Sequence, residues 1–403
     1  MDRAYGRAWW PSRPGRTGKG GAKVVLPDLA RSFLTRHKTS MSETGSSFSE
    51  TGSYTLAIDG MGGDGGPEVV VAGLAIAADR HPAARILLVG DEAKLSGLLS
   101  RHPRAADICT ILPAGSAIPM DMKPTAALRV RDSSMRLAMD AVAKGAAQGV
   151  VSAGNSGAML ALAKIVVKTL PGISRPAMAA LSPTTRGDVV MLDLGANVSC
   201  DWRNLVEFAI MGEAFAKAVL GLPAPTIGLL NVGSEELKGD ERLRQAAEVL
   251  RGSALARQFH GFVEGHDITA GTTDVVVTDG FTGNVALKTG EGALKMAFTL
   301  LRQVFTSSLL GRIGYLLVRP GLERMKEWLD PRRYNGAVFV GLNGVVVKSH
   351  GGTDAEGFAA AVDVAMDMVT HRFTDGIRDR LAHMEKLTSV KAVPDQQQAV
   401  PAS

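Results

Sequence analysis

The chain has 403 residues, 45% hydrophobic and 21% charged, with 46 glycines and only 5% aromatics. That balance allows one large α/β core or two lobes, and it fits a fold rich in tight turns better than an aromatic-rich all-β fold. The pI of about 9.2 points to nucleic acid at first sight, but residues 1–40 alone hold nine Lys or Arg against Asp2 and Asp28, which leaves 36 basic and 38 acidic residues in a slightly acidic body.

Residues 1–53 are rich in Arg, Gly, Ser, Thr and Pro and lack sustained periodicity, so they are expected to be a disordered basic extension. Met41 is a second candidate start. The alternative is a genuine basic arm or targeting segment over residues 1–40. From Tyr54 onward, apolar runs of strand length alternate with amphipathic stretches. Strands are expected at 54–59, 85–90, 149–152, 188–193, 226–231, 274–278 and 344–348. Helices are expected at 67–80, 133–147, 156–169, 203–220, 240–258, 284–305 and 354–381. This alternation predicts an α/β fold, a mostly parallel Rossmann-like sheet with helices on both faces, spanning one catalytic domain at 54–381. Near-continuous apolar runs such as Arg85-Ile-Leu-Leu-Val-Gly90 suit parallel strands covered on both sides. Residues 382–403 are expected to be a flexible tail.

Ligands of open parallel sheets bind beyond strand carboxyl ends, so the turns there are the place to look for chemistry. The first is Asp59-Gly-Met-Gly-Gly-Asp-Gly-Gly-Pro67. Gly60, Gly62 and Gly65 satisfy the weak dinucleotide pattern G-x-G-x-x-G, and a helix start here would also attract phosphate. The second, Ser152-Ala-Gly-Asn-Ser-Gly157, places small residues and Asn155 at a helix start, as an oxyanion or phosphate cradle or as an ordinary cap. Next come Asp193-Leu-Gly-Ala-Asn197 and Asn231-Val-Gly-Ser-Glu-Glu-Leu-Lys-Gly239. The last two are Asp279-Gly-Phe-Thr-Gly-Asn-Val-Ala-Leu-Lys288 and the pair Asn343-Gly344 and Lys348-Ser-His-Gly-Gly352. Each alone is compatible with a solvated, capped turn. Together they are expected to repeat one construction at one sheet edge. A basic stretch, Lys123-Pro-Thr-Ala-Ala-Leu-Arg-Val-Arg131, is either a solvated face or an anion contact.

Other machinery is missing from the sequence. Cys109 and Cys200, the only cysteines, give no disulfide framework and no zinc spacing, which suits a reducing compartment. There is no nucleophile elbow, His/Glu metal motif or G-K-[ST] phosphate loop, so no covalent enzyme intermediate, metal or cofactor is expected. No run of 18 apolar residues is available to span a membrane, and the basic N-terminus lacks the apolar core of a secretory signal.

These segments, in this order from about residue 54 to 380, resemble the phosphate acyltransferases. The match rests on the turns quoted above, on Lys123-Pro124 through Leu128-Arg129, and on Gly341-Leu-Asn-Gly-Val-Val-Val-Lys-Ser-His350. Two departures keep the turn chemistry: Ser156 where Thr is usual, and Ser234 where an acidic residue is common. The resemblance implies a fold similar to isocitrate and isopropylmalate dehydrogenases. It also implies transfer of a fatty acyl group from acyl carrier protein to inorganic phosphate, feeding phosphatidic acid and phospholipid synthesis. Asn155, Ser156, Asn284, Lys288, Lys348 and His350 fall on its catalytic motifs. Asp59, Gly62, Gly63, Asp64, Lys123, Arg129, Asp193, Asn197, Asn231, Lys238 and Asp279 fall on its substrate-binding motifs. The implied partners are acyl carrier protein, phosphate, a second copy in a homodimer, and a downstream membrane glycerol-3-phosphate acyltransferase. The implied place is the cytoplasm, peripherally on the inner face of the cell membrane.

Phe298, Leu301, Phe305, Leu309, Ile313 and Leu316 recur at helical spacing, with Arg302, Arg312, Arg319, Arg324 and Lys326 among and after them. Such a stripe suits an anionic bilayer interface. Gly311, Gly314 and Pro320 are expected to break it into two short helices with a hairpin tip. Residues 298–305 are expected in the core or a dimer interface. Leu309, Leu310, Ile313, Leu316 and Leu317 are expected to be exposed for membrane contact. Two other functions remain open at this point: a metal- and NAD-dependent decarboxylating dehydrogenase of the same fold class, and nucleic-acid binding through the basic arm.

Overall fold

The apolar runs assemble into one eleven-stranded sheet in the computed structural model, which describes residues 54–390. The expectations for residues 1–53 and 391–403 lie outside the described residues. The strands are β1 (Thr55–Asp59), β2 (Arg85–Gly90), β3 (Cys109–Pro113), β4 (Gly149–Ser152), β5 (Ala177–Thr184) and β6 (Gly187–Leu192). They continue with β7 (Ile227–Leu230), β8 (Phe259–Val263), β9 (Val275–Val277), β10 (Ala337–Val340) and β11 (Val345–Lys348). Their order across the sheet is β3-β2-β1-β4-β11-β10-β5-β6-β9-β7-β8. All seven expected strands are present; β3, β5, β8 and β10 are additional.

Seven of the ten strand pairings are parallel. The exceptions join β10 to β11, β10 to β5, and β5 to β6. The sheet is therefore two parallel blocks running in opposite directions. β1, β2, β3, β4 and β11 run one way; β6, β7, β8 and β9 run the other. Strand carboxyl ends consequently emerge at two opposite edges, which corrects the expectation of one shared edge. Asp59, Ser152 and Lys348 close strands at the first edge; the turns at Asp193, Asn231 and Asp279 follow strands at the second.

Both faces are covered. One carries Leu56, Ile58, Val151, Val347 and Val190 under the helices Gly66–Arg80, Trp202–Leu220 and Ala355–Thr370. The other carries Ala57, Val150, Phe339 and Val346 under Ser134–Ala143 and Ser156–Val166. Each fully buried aliphatic side chain contributes about 1.5–3 kcal/mol, so the alternation of inward residues along short strands fixes their register. The expected helix at 354–381 is two helices, Ala355–Thr370 and Phe373–Val390, separated where Arg372 takes a φ of 50°. The tail therefore stays helical beyond residue 382, as far as Val390.

The helix Gly280–Thr306 leaves the sheet after its first turns. Only Gly280 and Gly283 are buried, with Ala286 and Leu287 packed against Met191 and Val276. Leu309–Trp328 then runs back with no buried residue. The break falls at Ser307–Ser308, not at Gly311, Gly314 or Pro320 as expected. Ser308 caps the second helix by accepting from Gly311 N at 3.0 Å. Gly311 serves the tight turn instead, because a Cβ there would lie 2.9 Å from the Val304 carbonyl oxygen. Phe305 and Tyr315 close the tip edge to face, 5.7 Å apart. Pro320 sits inside the second helix.

Candidate functional site

At the first edge, close backbone approach is built into the glycines. A Cβ on Gly62 would lie 2.7 Å from Gly154 N, so the turn after β1 and the turn after β4 touch through bare backbone. Gly63, at φ +93°, similarly faces Ala153 and the Gly351 carbonyl. Asp64 N donates to that Gly351 carbonyl at 2.9 Å. Three turns that are distant in sequence thus meet.

Asp59 lies buried beneath them. Its carboxylate accepts from Ser134 Oγ at 2.6 Å, Ser152 Oγ at 2.7 Å and Met61 N at 3.3 Å. Burial raises its pKa, opposed by those hydrogen bonds and by Lys348. Lys348 is buried beside it and donates through Nζ to the Ala153 and Ser349 carbonyls. Burial pushes its pKa down to about 8, against the pull of Asp59 and Asp64. The ammonium is therefore mostly charged at neutral pH yet easily discharged. His350 is exposed, and its Nδ1 accepts from Gly352 N at 3.2 Å. In the neutral ring that leaves the hydrogen on Nε2.

Asn155 caps the helix Ser156–Val166 through Oδ1, which accepts from Ala158 N at 2.9 Å. Its Nδ2 donates to the Met120 and Met122 carbonyls at 2.6 and 2.9 Å. The amide is fully engaged in shaping the turn. The groups left to receive an anion are the first-turn N–H groups of Ser156 and Gly157, which have no intrahelical acceptor. Lys123 precedes the short helix Pro124–Ala127, whose Pro124 borders Gly157. Lys123 and Arg129 are both exposed there.

At the second edge, Asp193 is wholly buried and its oxygens are saturated. Oδ1 accepts from Met178 N, Gly195 N and Ala196 N at 2.9–3.1 Å; Oδ2 accepts from Asn197 N at 2.7 Å and Asn197 Nδ2 at 2.9 Å. Gly280 and Gly283 pack directly on this loop, and Asn284 lies against Gly195. Asn284 and Lys288 are exposed, and Lys288 pairs with Glu291 at 2.8 Å. Asp279 caps its helix by accepting from Thr282 N at 2.8 Å. Asn231 donates to the Lys238 carbonyl at 3.1 Å, which folds the exposed Lys238 turn back on itself. A cavity of about 550 Å³ opens here, lined in part by Asn231, Arg242, Thr278, Asp279 and Thr282. Asp193→Ala should cost about 3 kcal/mol of stability, because it leaves buried donors unpaired. A thermal midpoint within a degree or two of the parent would contradict that.

The structure thus gathers Asp59, Gly62, Gly63, Asp64, Asn155, Ser156, Lys348 and His350 into one cluster. It places Asp193, Asn197, Asn231, Lys238, Asp279, Asn284 and Lys288 with the other block. Sequence reasoning missed Ser134 and Asn335, and read Ser152 only as the start of a turn, not as a partner of Asp59. Asn335 donates to Ser349 Oγ at 2.8 Å and accepts from His350 N at 2.7 Å. The dipeptide Asn335-Gly336 before an apolar run was an available turn signal.

Residues 54–375 match the family described as "Fatty acid synthesis protein". The phosphate acyltransferase of Gluconacetobacter diazotrophicus is 84% identical over 357 residues, 89% of this chain and 96% of that protein. That of Gluconobacter oxydans is 75% identical, covering 83% of this chain and 90% of its own length. Among solved structures, a phosphotransacetylase from Streptococcus pyogenes aligns with a TM-score of 0.55 at 18% identity, covering 79% of this chain and 94% of the other. That likeness speaks to the α/β fold alone. With an 84% identical relative and a family match over most of its length, the chain belongs to the phosphate acyltransferase family.

Proposed function

We propose that the chain transfers a fatty acyl group from acyl carrier protein to inorganic phosphate at the Asp59–Asn155–Lys348–His350 edge. The observation that supports this is the buried Lys348 ammonium, held by the Ala153 and Ser349 carbonyls beside the glycine-lined turns, with His350 two residues on. A phosphate oxygen attacks the thioester carbonyl, the C–O bond forms, and the carbonyl oxygen becomes an oxyanion. Backbone N–H groups of Ser156 and Gly157 receive it, each worth roughly 3–4 kcal/mol. The tetrahedral intermediate collapses, the C–S bond breaks, and the thiolate leaves against a hydrogen bond from His350 Nε2–H and takes up the proton that hydrogen phosphate gives up. Lys348 balances the charge of the phosphate. Phosphate is itself a fair nucleophile near neutral pH, so no strong protein base is required.

Family membership favours this chemistry over the dehydrogenase and nucleic-acid alternatives. The proposal includes a homodimer, a cytoplasmic enzyme, and delivery of acyl phosphate to a membrane glycerol-3-phosphate acyltransferase. It also keeps the likeness of the fold to isocitrate and isopropylmalate dehydrogenases. Among the described residues no helix is long and apolar enough to cross a membrane. Peripheral contact is assigned to Leu309, Leu310, Ile313, Leu316 and Leu317, all exposed on the projecting hairpin.

Purified protein incubated with palmitoyl-acyl carrier protein and phosphate should yield acyl phosphate, trapped as the hydroxamate with hydroxylamine. Release of free palmitate without phosphate dependence would reject the proposal. NADH production from hydroxy acids with Mn²⁺ would support the dehydrogenase alternative instead.

A further inference from the structure

The projecting hairpin returns to the sheet through a short turn, Pro331–Tyr334, and the next residue is Asn335. Asn335 is buried, and its side chain is fully used. Nδ2 donates to the Gly357 carbonyl at 2.6 Å and to Ser349 Oγ at 2.8 Å, with Thr353 Oγ1 further off at 3.4 Å. Oδ1 accepts from His350 N at 2.7 Å. One amide therefore ties the segment after Lys348 to the first turn of the helix Ala355–Thr370. It engages Ser349 by side chain and His350 by backbone, and leaves the His350 ring pointing outward.

The surroundings leave this amide little alternative. Gly336 follows it at φ +119°, and a Cβ there would lie 3.2 Å from Ala361 Cα. A Cβ on Gly357 would meet Thr353 Oγ1. The chain is thus pressed onto the helix from both sides of the hydrogen bonds. Ala337, two residues beyond Asn335, pairs with Lys348 in the β10–β11 ladder. The same short segment consequently sets both the strand bearing Lys348 and the loop bearing His350.

We infer that Asn335 is a positioning residue for His350 in the proposed acyl transfer, acting by fixing the His350 backbone rather than by touching substrate. The inference rests on the reading of His350 as hydrogen-bond donor to the leaving thiolate. A misplacement of about 1 Å in a reacting group costs about 10²-fold in rate, which sets the scale of the effect.

The test is a double-mutant cycle on acyl phosphate formation. N335A should lower kcat about 10²-fold with little change in the KM for phosphate. N335A placed on H350A should lower kcat no further, because the residue then positions nothing. N335S is the milder change: it keeps a small polar side chain without setting a carboxylate against the Gly357 carbonyl, and it repeats the cycle if N335A does not fold. An equal loss from the Asn335 substitution in the wild-type and H350A backgrounds would overturn the inference while leaving the role of His350 standing. If H350A alone has wild-type kcat, the reading of His350 as donor to the leaving thiolate falls and this inference falls with it, a pattern distinct from additivity.

Discussion

Lys348→Met should lower turnover about 10²–10³-fold while leaving the protein folded. Methionine fills nearly the same volume but removes the cation proposed to face the phosphate. Lys348 is buried, so its loss is not made good by solvent cations. The pH dependence gives the sharper check. Burial holds the Lys348 pKa near 8, so the required charged form is present below that pH and is discharged above it. For the parent enzyme, kcat/KM should therefore fall as pH rises through about 8. On the acid side, activity should rise as phosphate gains its second negative charge. In Lys348→Met the residual activity should lack the alkaline fall. An unchanged alkaline limb in the variant, or turnover within a few-fold of the parent, would remove Lys348 from the chemistry.

The quadruple change of Leu309, Leu310, Leu316 and Leu317 to Ser should abolish sedimentation with anionic vesicles. Leu310 and Leu317 are 82% and 78% exposed, and no residue of the helix Leu309–Trp328 is buried. Each leucine transferred from water to an apolar environment contributes at most about 1.5–3 kcal/mol. Arg312, Arg324 and Lys326 lie on the same helix, each adding about 1 kcal/mol near an anionic surface. Together these terms exceed what a peripheral contact needs, and removing the apolar part leaves a weak, salt-sensitive remainder. Gel filtration and circular dichroism of the variant should match the parent. If it unfolds or becomes monomeric, the stripe belongs to an interface between copies, and membrane contact lies elsewhere.

The sequence made the parallel blocks legible because their strands are continuous apolar runs flanked by glycine turns. It hid β5 and β10, and hence the reversal between the blocks. Ala177–Thr184 carries Ser182-Pro183 near its end, and Ala337–Val340 is only four residues long. The first has the length of a strand, but its Ala-Met-Ala-Ala-Leu run has no β-branched residue; the second is short. β8 is interrupted by Gly261 at φ +113°. Missing the antiparallel pair led directly to placing every turn at one edge. Residue identities were more legible than their partners. Asp59 was visible as a turn residue, whereas its hold on Ser134 and Ser152 depends on packing between distant segments. The hairpin break was misplaced because glycine was read as a helix breaker. At Gly311 the missing side chain instead permits close contact with the preceding helix.

The reversal also has a mechanical side. The two blocks join through β10, which pairs with β11 at only two positions, Ala337–Lys348 and Val338–Val347, and with β5 at three. These short ladders form the seam between the two slabs. Lys348 is itself one of the paired residues on that seam, opposite Ala337, so a substitution in Ala337–Val340 reaches the strand that carries its amine without touching the turns at either edge.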